Sequence, residues 1–151
     1  MPLLNYTSEV PAEKSIAQIQ KCLVEHGATA IINDYDGNGF IVALTFKITI
    51  GDQDYGVKLP TDWRPVLKIL ESGKKFNARL LTESAKKNRQ EQALRTAWKI
   101  TNDWVKAQMA IIQVKMASLE QVFLPYIIAK QGQTVYEVWR EQQGLLEAPK
   151  N

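Results

Sequence analysis

The chain of 151 residues contains few of the residues that metal centres and nucleophilic catalysis require. It has one cysteine, Cys22, and one histidine, His26. A single cysteine excludes an internal disulfide framework and a zinc site of several thiolates, and a single histidine excludes sites built on two imidazoles. The phosphate loop GxxxxGK[ST], the GxGxxG motif and a nucleophile elbow are also missing. These absences favour a binding protein over an enzyme, and they predict no metal and no cofactor.

Long apolar stretches are missing as well. The N-terminus has no basic segment followed by an apolar one, so it does not resemble a secretory signal. The longest apolar runs, such as residues 40–44, are far shorter than the ~20 residues that cross a bilayer. A lone cysteine fits a reducing compartment. The sequence therefore predicts a cytoplasmic protein with no membrane partner.

The formal net charge of +3 conceals an uneven distribution. Residues 1–60 carry a net charge of −3, residues 61–115 carry +7, and residues 116–151 carry −1. Between residues 74 and 99 only two acidic side chains oppose eight basic ones, which are Lys74, Lys75, Arg79, Lys86, Lys87, Arg89, Arg95 and Lys99. A basic middle thus follows an acidic first part.

The first part of the chain predicts a strand and then a helix. Residues 6–10 have the pattern of a short strand that stops at Pro11. Ser15 and Gln18 have the spacing of a capping box, although the helix has an alternative start nearer Ala12. Apolar residues recur at helical spacing and mark its buried face, namely Ile16, Ile19 and Leu23. Gly27 stands where a left-handed residue ends a helix.

Three strands follow this helix. Residues 28–34 are apolar and β-branched in their middle, residues 40–50 alternate apolar with polar side chains, and residues 55–59 form a short last strand. An Asp-Gly-Asn-Gly sequence predicts the first hairpin turn, and residues 51–54 predict the second. Residues 1–60 therefore predict a β-α-β-β-β unit with a largely antiparallel sheet.

The remainder of the chain predicts helices. Thr61 or Asp62 caps a helix to about Glu71, and residues 73–88 have no clear period. Asn88 with Glu91 predicts the cap of a long amphipathic helix to about residue 115. The buried stripe that we expect along it is Leu94, Ala97, Trp98, Thr101, Trp104, Val105, Gln108, Ile111 and Ile112, and its polar side is Arg95, Lys99, Asn102, Lys106 and Gln113.

Two further helices complete the prediction. Ser118 caps the first, which Pro125 interrupts, and Thr134 caps the second, which ends at Gly144. The fold class is α+β, with a sheet unit over residues 1–60, a helical half over residues 61–147 in the same compact domain, and a loose tail over residues 148–151. The apolar last helix predicts self-association through the C-terminal helices.

Aspartates and the Cys–His pair offer weaker candidates for chemistry. Residues 34–39 match the first half of a calcium loop, but Thr45 stands at the twelfth position, where a glutamate is required. An acid-rich hairpin turn explains this pattern better. Four aspartates would offer acid–base or metal chemistry if the sheet turns gathered them, namely Asp34, Asp36, Asp52 and Asp54. Cys22 and His26 share a helix face, which favours a buried thiol beside a helix-terminal imidazole.

The basic segment is the strongest functional signal. Lysine and arginine side chains on a loop and on the adjoining helix face would neutralise phosphates and release counterions. The candidate phosphate-binding residues are the eight basic ones of residues 74–99, and the candidate stacking residues are Tyr55, Trp63 and Phe76. A solvated helix face is the alternative explanation.

The sequence also resembles a loose family of small phage, prophage and mobile-element proteins. The resembling segments are Tyr6-Thr7, residues 14–20, Gly27-Ala28, residues 97–100, Asp103-Trp104, Ala107-Gln108 and residues 122–126. The resemblance implies a bacterial host cell and no particular activity. Three hypotheses remain: a non-enzymatic accessory protein that binds nucleic acid, an oligomer that sequesters a small nucleotide signal against host defence, and a protein-interaction module.

Overall fold

The structure, a computed structural model, describes residues 3–5, 8–72 and 82–142. These residues form an α+β fold with one three-stranded antiparallel sheet, as the sequence predicts. The elements are α1 (Ala12–Glu25), β1 (Ala30–Tyr35), β2 (Ile41–Ile50), β3 (Gln53–Lys58), α2 (Trp63–Glu71), α3 (Glu83–Gln113), α4 (Leu119–Phe123) and α5 (Val135–Glu141), with 3₁₀ turns at Leu124–Tyr126 and Lys130–Gly132. The described helices include none with both the length and the apolar character of a membrane span.

The strand predicted over residues 6–10 is wrong for its described part. Ser8 donates its backbone N–H to the Asn5 carbonyl at 2.9 Å, and the Val10 N–H donates to the Ser8 hydroxyl at 3.3 Å. The Asn5 carbonyl also accepts from Thr96 on α3 at 3.3 Å. Polar groups of this segment are thus satisfied by local turns and by α3 rather than by a sheet. Residues 6–7 lie outside the described residues.

Helix α1 has the predicted buried face and the earlier of the two starts. It begins at Ala12 after Pro11, and Ser15 is a fully buried residue inside the helix rather than its cap. The three apolar side chains predicted to mark that face are at most 3% exposed, namely Ile16, Ile19 and Leu23. Gly27 has a φ of +104°, which confirms the left-handed residue after the helix.

The sheet has the order β1-β2-β3, so β2 lies in the middle. Leu44, Phe46 and Ile48 point into the core and are at most 3% exposed, as the alternation predicts. The second turn is tighter than expected, because Ile50 pairs directly with Gln53 and β3 begins there. Since the two hairpins are consecutive, their turns lie at opposite ends of β2. The expected gathering of Asp34 and Asp36 with Asp52 and Asp54 is therefore wrong.

A segment of the C-terminal half extends the sheet, which the sequence did not predict. Ile127 lies opposite Val57 in an antiparallel bridge, and the Ile128 N–H donates to the Gly56 carbonyl at 2.8 Å. A Cβ atom on Gly56 would stand 3.3 Å from Cδ1 of Ile128. The glycine therefore permits this close approach beside the edge of β3.

Helix α3 begins earlier than predicted. Thr82 caps it by accepting from the Ala85 N–H at 3.1 Å, so residues 83–88 are helical and Asn88 is not a cap. Asn102, expected on the polar side, is fully buried, and its amide nitrogen is satisfied because it donates to Gln18 of α1 at 2.7 Å. The middle of α3 packs against α1 and forms part of the core.

One hydrophobic cluster unites the two parts of the chain. It includes Phe46 of β2, Trp98 of α3 and Phe123 of α4, each at most 1% exposed. The predicted caps Ser118 and Thr134 are confirmed, and the helix before Pro125 gives way to a 3₁₀ turn. Helix α5 ends at Glu141 rather than at residue 144. The predicted tail, residues 148–151, lies outside the described residues.

Candidate nucleic-acid interface

Trp63 is placed by the cap of helix α2. The Asp62 carboxylate accepts from the Arg64 backbone N–H at 3.1 Å and from the Arg64 Nε at 2.9 Å. These bonds from Arg64 hold the pKa of Asp62 below its usual range, so the cap is charged at neutral pH. A charged N-cap fixes the first turn of the helix, and the indole of Trp63 is half-buried there.

A cavity of about 550 Å³ lies between this turn of α2 and the first turns of α3. Trp63, Lys86 and Lys87 all line it, so the structure brings together three of the predicted site residues. Sequence reasoning missed the other lining residues, which are Asn38, Leu67, Glu83, Ser84 and Gln90. No local signal pointed to them, because the fold joins the β1–β2 turn, α2 and α3 at this place.

Within the part of the chain that the structure describes, both lysines of the cavity have partners at the protein surface. The Lys86 Nζ lies 3.5 Å from the carboxylate of Glu83, whose side chain is 93% exposed. The Lys87 Nζ lies 5.7 Å from the centre of the Phe40 ring, a cation–π contact. Exposed pairs of this kind contribute about 0–1 kcal/mol to stability, so an anionic ligand would displace them at little cost.

The β1–β2 turn lines the cavity through Asn38, and the conformation of this turn is held by Asp36. Its carboxylate accepts from the backbone N–H groups of Asn38 and Phe40, both at 3.0 Å, and from the Gln90 amide at 2.5 Å. Desolvation opposes the charged form, but these hydrogen bonds outweigh it and lower the pKa of Asp36. The carboxylate oxygens therefore serve the turn, as the hairpin interpretation predicts, rather than a calcium ion.

The other described basic candidates lie in different surroundings. Arg89 pairs with Glu71 of α2 at 3.1 Å, and Lys99 pairs with Asp103 at 3.0 Å. Arg95 contacts Glu91 at 3.7 Å, also bonds Gln92, and lines a separate cavity of about 340 Å³. That second cavity also holds Glu9, Glu13 and Glu91, so its charge does not favour a phosphate.

Helix geometry spreads these side chains around α3. At about 100° per residue, Lys87 and Arg89 point roughly 160° apart, and Lys87 and Lys99 about 120° apart. The expectation of one continuous basic face is therefore replaced by a local group at the start of the helix. Arg95 and Lys99 belong to a different side, where Asp103 also binds the Asn5 amide at 2.9 Å.

Of the two stacking candidates within the described residues, Trp63 lies at the cavity and Tyr55 does not. Tyr55 pairs with Ile48 across the sheet, and Ile48 lies eight residues along the chain from Phe40. At about 3.3 Å per residue, Tyr55 is therefore roughly 26 Å from Phe40, whose ring contacts Lys87. Four further predicted residues lie outside the described residues, and these are Lys74, Lys75, Phe76 and Arg79.

The Cys–His pair has the arrangement of a structural contact. The Cys22 Sγ lies 4.0 Å from Nδ1 of His26, while that nitrogen lies 2.8 Å from the Cys22 carbonyl oxygen. Burial, together with the charge of Glu25, raises the pKa of the Cys22 thiol. Because the thiolate is the reactive form, Cys22 is a weaker nucleophile than an exposed cysteine. Within the described residues, no three histidine, cysteine, aspartate or glutamate side chains are grouped as metal ligands.

Comparisons with protein-family models, with curated proteins and with solved structures find no match to this chain. The resemblance to phage and mobile-element proteins therefore stays a prediction.

Proposed function

We propose that the protein binds single-stranded nucleic acid at the cavity between α2 and α3, without catalysing a reaction on it. The observation that supports this proposal is that Trp63, Lys86 and Lys87 line one cavity. A base would stack on the half-buried indole, and the two ammonium groups would neutralise the adjoining phosphates.

The chemistry of the cavity suits a strand with unpaired bases. Stacking of a base on an aromatic ring contributes about 1–3 kcal/mol and is tolerant of sequence. The hydroxyl of Ser84 and the amide oxygen of Asn38, whose amide nitrogen donates to Gln90 at 3.0 Å, add groups that hydrogen-bond to base edges or to sugar. Binding that depends mainly on stacking and on charge fits an accessory protein with broad specificity. The remaining basic candidates of residues 74–99 stay predictions as further phosphate contacts.

The small-nucleotide alternative uses the same cavity. A volume of about 550 Å³ lies within the range of small-ligand pockets, and a nucleotide would place its base and phosphates on the same three side chains. The two hypotheses differ in length dependence, because a polymer gains affinity from every phosphate that it adds beyond the cavity.

The decisive measurement is fluorescence anisotropy with a labelled oligothymidylate of about 15 nucleotides, at about 50 and 200 mM salt. We expect saturable binding that weakens steeply with salt. The double variant Lys86→Glu/Lys87→Glu should bind more than about tenfold more weakly and lower the salt slope by about 1.4, the value for two single-strand phosphate contacts.

The matched control is Lys14→Glu/Lys21→Glu, which makes the same change of charge at two exposed positions of α1. It should retain most of the affinity. Wild-type affinity in the Lys86→Glu/Lys87→Glu variant would contradict the proposal. Saturation by mononucleotides with no gain for the oligonucleotide would support the sequestering alternative instead.

A further inference from the structure

Besides the 550 Å³ cavity of the candidate site, Trp63 also lines a larger groove of about 660 Å³. Tyr126 and Tyr136 line it as well, so three aromatic side chains share this groove. Tyr126 belongs to the 3₁₀ turn after α4 and packs edge-to-face on Trp104, with ring centres 5.5 Å apart. Tyr136 belongs to α5 and is 47% exposed. The pairing of Ile127 with β3 brings this C-terminal segment beside the sheet.

The three rings carry hydrogen-bond donors that have no acceptor in the described part of the chain. Within the described residues, no group accepts from the Trp63 Nε1–H, the Tyr126 hydroxyl or the Tyr136 hydroxyl. Indole N–H groups donate only, and phenol hydroxyls donate readily. A ligand that fits this groove would therefore offer acceptors together with apolar surface for the rings.

The charge of the groove differs in sign from that of the neighbouring cavity. Four carboxylates line it, those of Asp34, Asp36, Asp62 and Glu137, against the cations Lys58 and Arg64. Asp62 and Arg64 neutralise one another in a close pair at 2.9 Å. The net negative lining disfavours nucleic acid and favours a cationic group on the ligand.

We propose that this groove binds a proline-rich segment of a partner protein that carries an arginine or lysine beside its prolines. A polyproline II strand has no internal hydrogen bonds, so its carbonyls face outward as acceptors, and proline contributes no N–H donor. Such a strand matches a groove that offers ring-borne donors, and aromatic-lined grooves are a recurrent way of binding it. The adjoining basic side chain would pair with Asp34, which is exposed at the end of β1.

The test is fluorescence anisotropy of the full chain with a labelled proline-rich peptide of about twelve residues that ends in arginine. We expect saturable binding below about 1 mM. Tyr136→Phe keeps the ring and removes the hydroxyl, so it should weaken binding about three- to tenfold. Asp34→Asn should weaken binding of the arginine peptide. It should not change the affinity for a peptide in which glutamine replaces the arginine.

The controls separate this groove from the rest of the surface. Tyr35→Phe removes the hydroxyl of another exposed tyrosine, one that lines the 340 Å³ cavity instead, and should leave binding unchanged. Absence of saturation at 1 mM, or equal affinity for a peptide with alanine in place of every proline, would overturn the proposal. The Lys86→Glu/Lys87→Glu variant should bind the peptide with wild-type affinity, because those lysines line the other cavity. Loss of peptide binding in that folded variant would also count against it.

Discussion

Asp36 offers the sharpest single test of the fold around the candidate site. The variant Asp36→Ala removes the carboxylate that joins the β1–β2 turn to helix α3. Two backbone N–H groups, those of Asn38 and Phe40, lose their acceptor, and so does the Gln90 amide. Gln90 is only 8% exposed, so in the variant its unpaired amide N–H has little access to water.

The structure gives the magnitude of the loss. Hydrogen bonds to a charged group contribute about 1.5–3 kcal/mol when they are buried, and Asp36 is half-buried. We therefore take about 1 kcal/mol for the two turn bonds together. The bond to Gln90, including the cost of an unpaired buried amide, adds about 2 kcal/mol. The free energy of unfolding should fall by about 3 kcal/mol at neutral pH.

The pH dependence provides a second readout of the same variant. Because the folded pKa of Asp36 is lowered, its carboxylate contributes stability that is present above about pH 4, the unfolded pKa. That stability is lost as the pH falls through the folded pKa. The difference between wild type and Asp36→Ala should therefore shrink below about pH 4.

Urea unfolding followed by circular dichroism measures both effects. Asp52→Ala is the matched control, since Asp52 is an exposed aspartate in the other turn, and it should cost no more than about 0.5 kcal/mol. A loss below about 1 kcal/mol for Asp36→Ala, or a difference that stays constant down to pH 3, would refute the reasoning.

Two further predictions concern the core and the thiol. Phe123→Ala should lower the free energy of unfolding, measured in urea, by about 4 kcal/mol. The reason is that its buried ring packs edge-to-face on Phe46 and Trp104, with ring centres 5.5 and 5.9 Å away. The control Leu124→Ala changes a half-exposed neighbour and should lower it by less than about 0.5 kcal/mol. Equal losses would show that α4 does not seal the core. The raised pKa of Cys22 predicts that Ellman's reagent reacts with it more slowly than with free glutathione at pH 8, and a faster reaction would contradict the burial of the thiol.

Patterns within a few residues gave correct predictions of the fold. The alternation of Leu44, Phe46 and Ile48 set the face of β2, and Ser118 and Thr134 capped the helices that follow them. The predicted start of α3 is wrong because Asn88 and Glu91 have capping-box spacing inside the helix, whereas the cap of the folded chain is Thr82.

Contacts between distant parts of the chain were beyond sequence reasoning. Nothing near Ile127 shows that it pairs with Val57, since the interaction uses backbone atoms at a sheet edge. The same applies to the candidate site. Charge alone suggests a row of basic residues. Among the described ones, Arg89, Arg95 and Lys99 pair with Glu71, Glu91 and Asp103, whereas Lys86 and Lys87 line a cavity with Trp63.

Both proposed ligands would contact Trp63, and this determines which variants can distinguish binding of one from binding of the other. The indole lines both the cavity with Lys86 and Lys87 and the groove with Tyr136, so substitution of Trp63 would weaken either ligand and distinguish neither. Charge does distinguish them, because a polyanion requires the lysines and a basic peptide requires carboxylates such as that of Asp34. If both ligands need the same indole, each should lower the affinity for the other by the same factor, since the coupling between two binding sites is reciprocal.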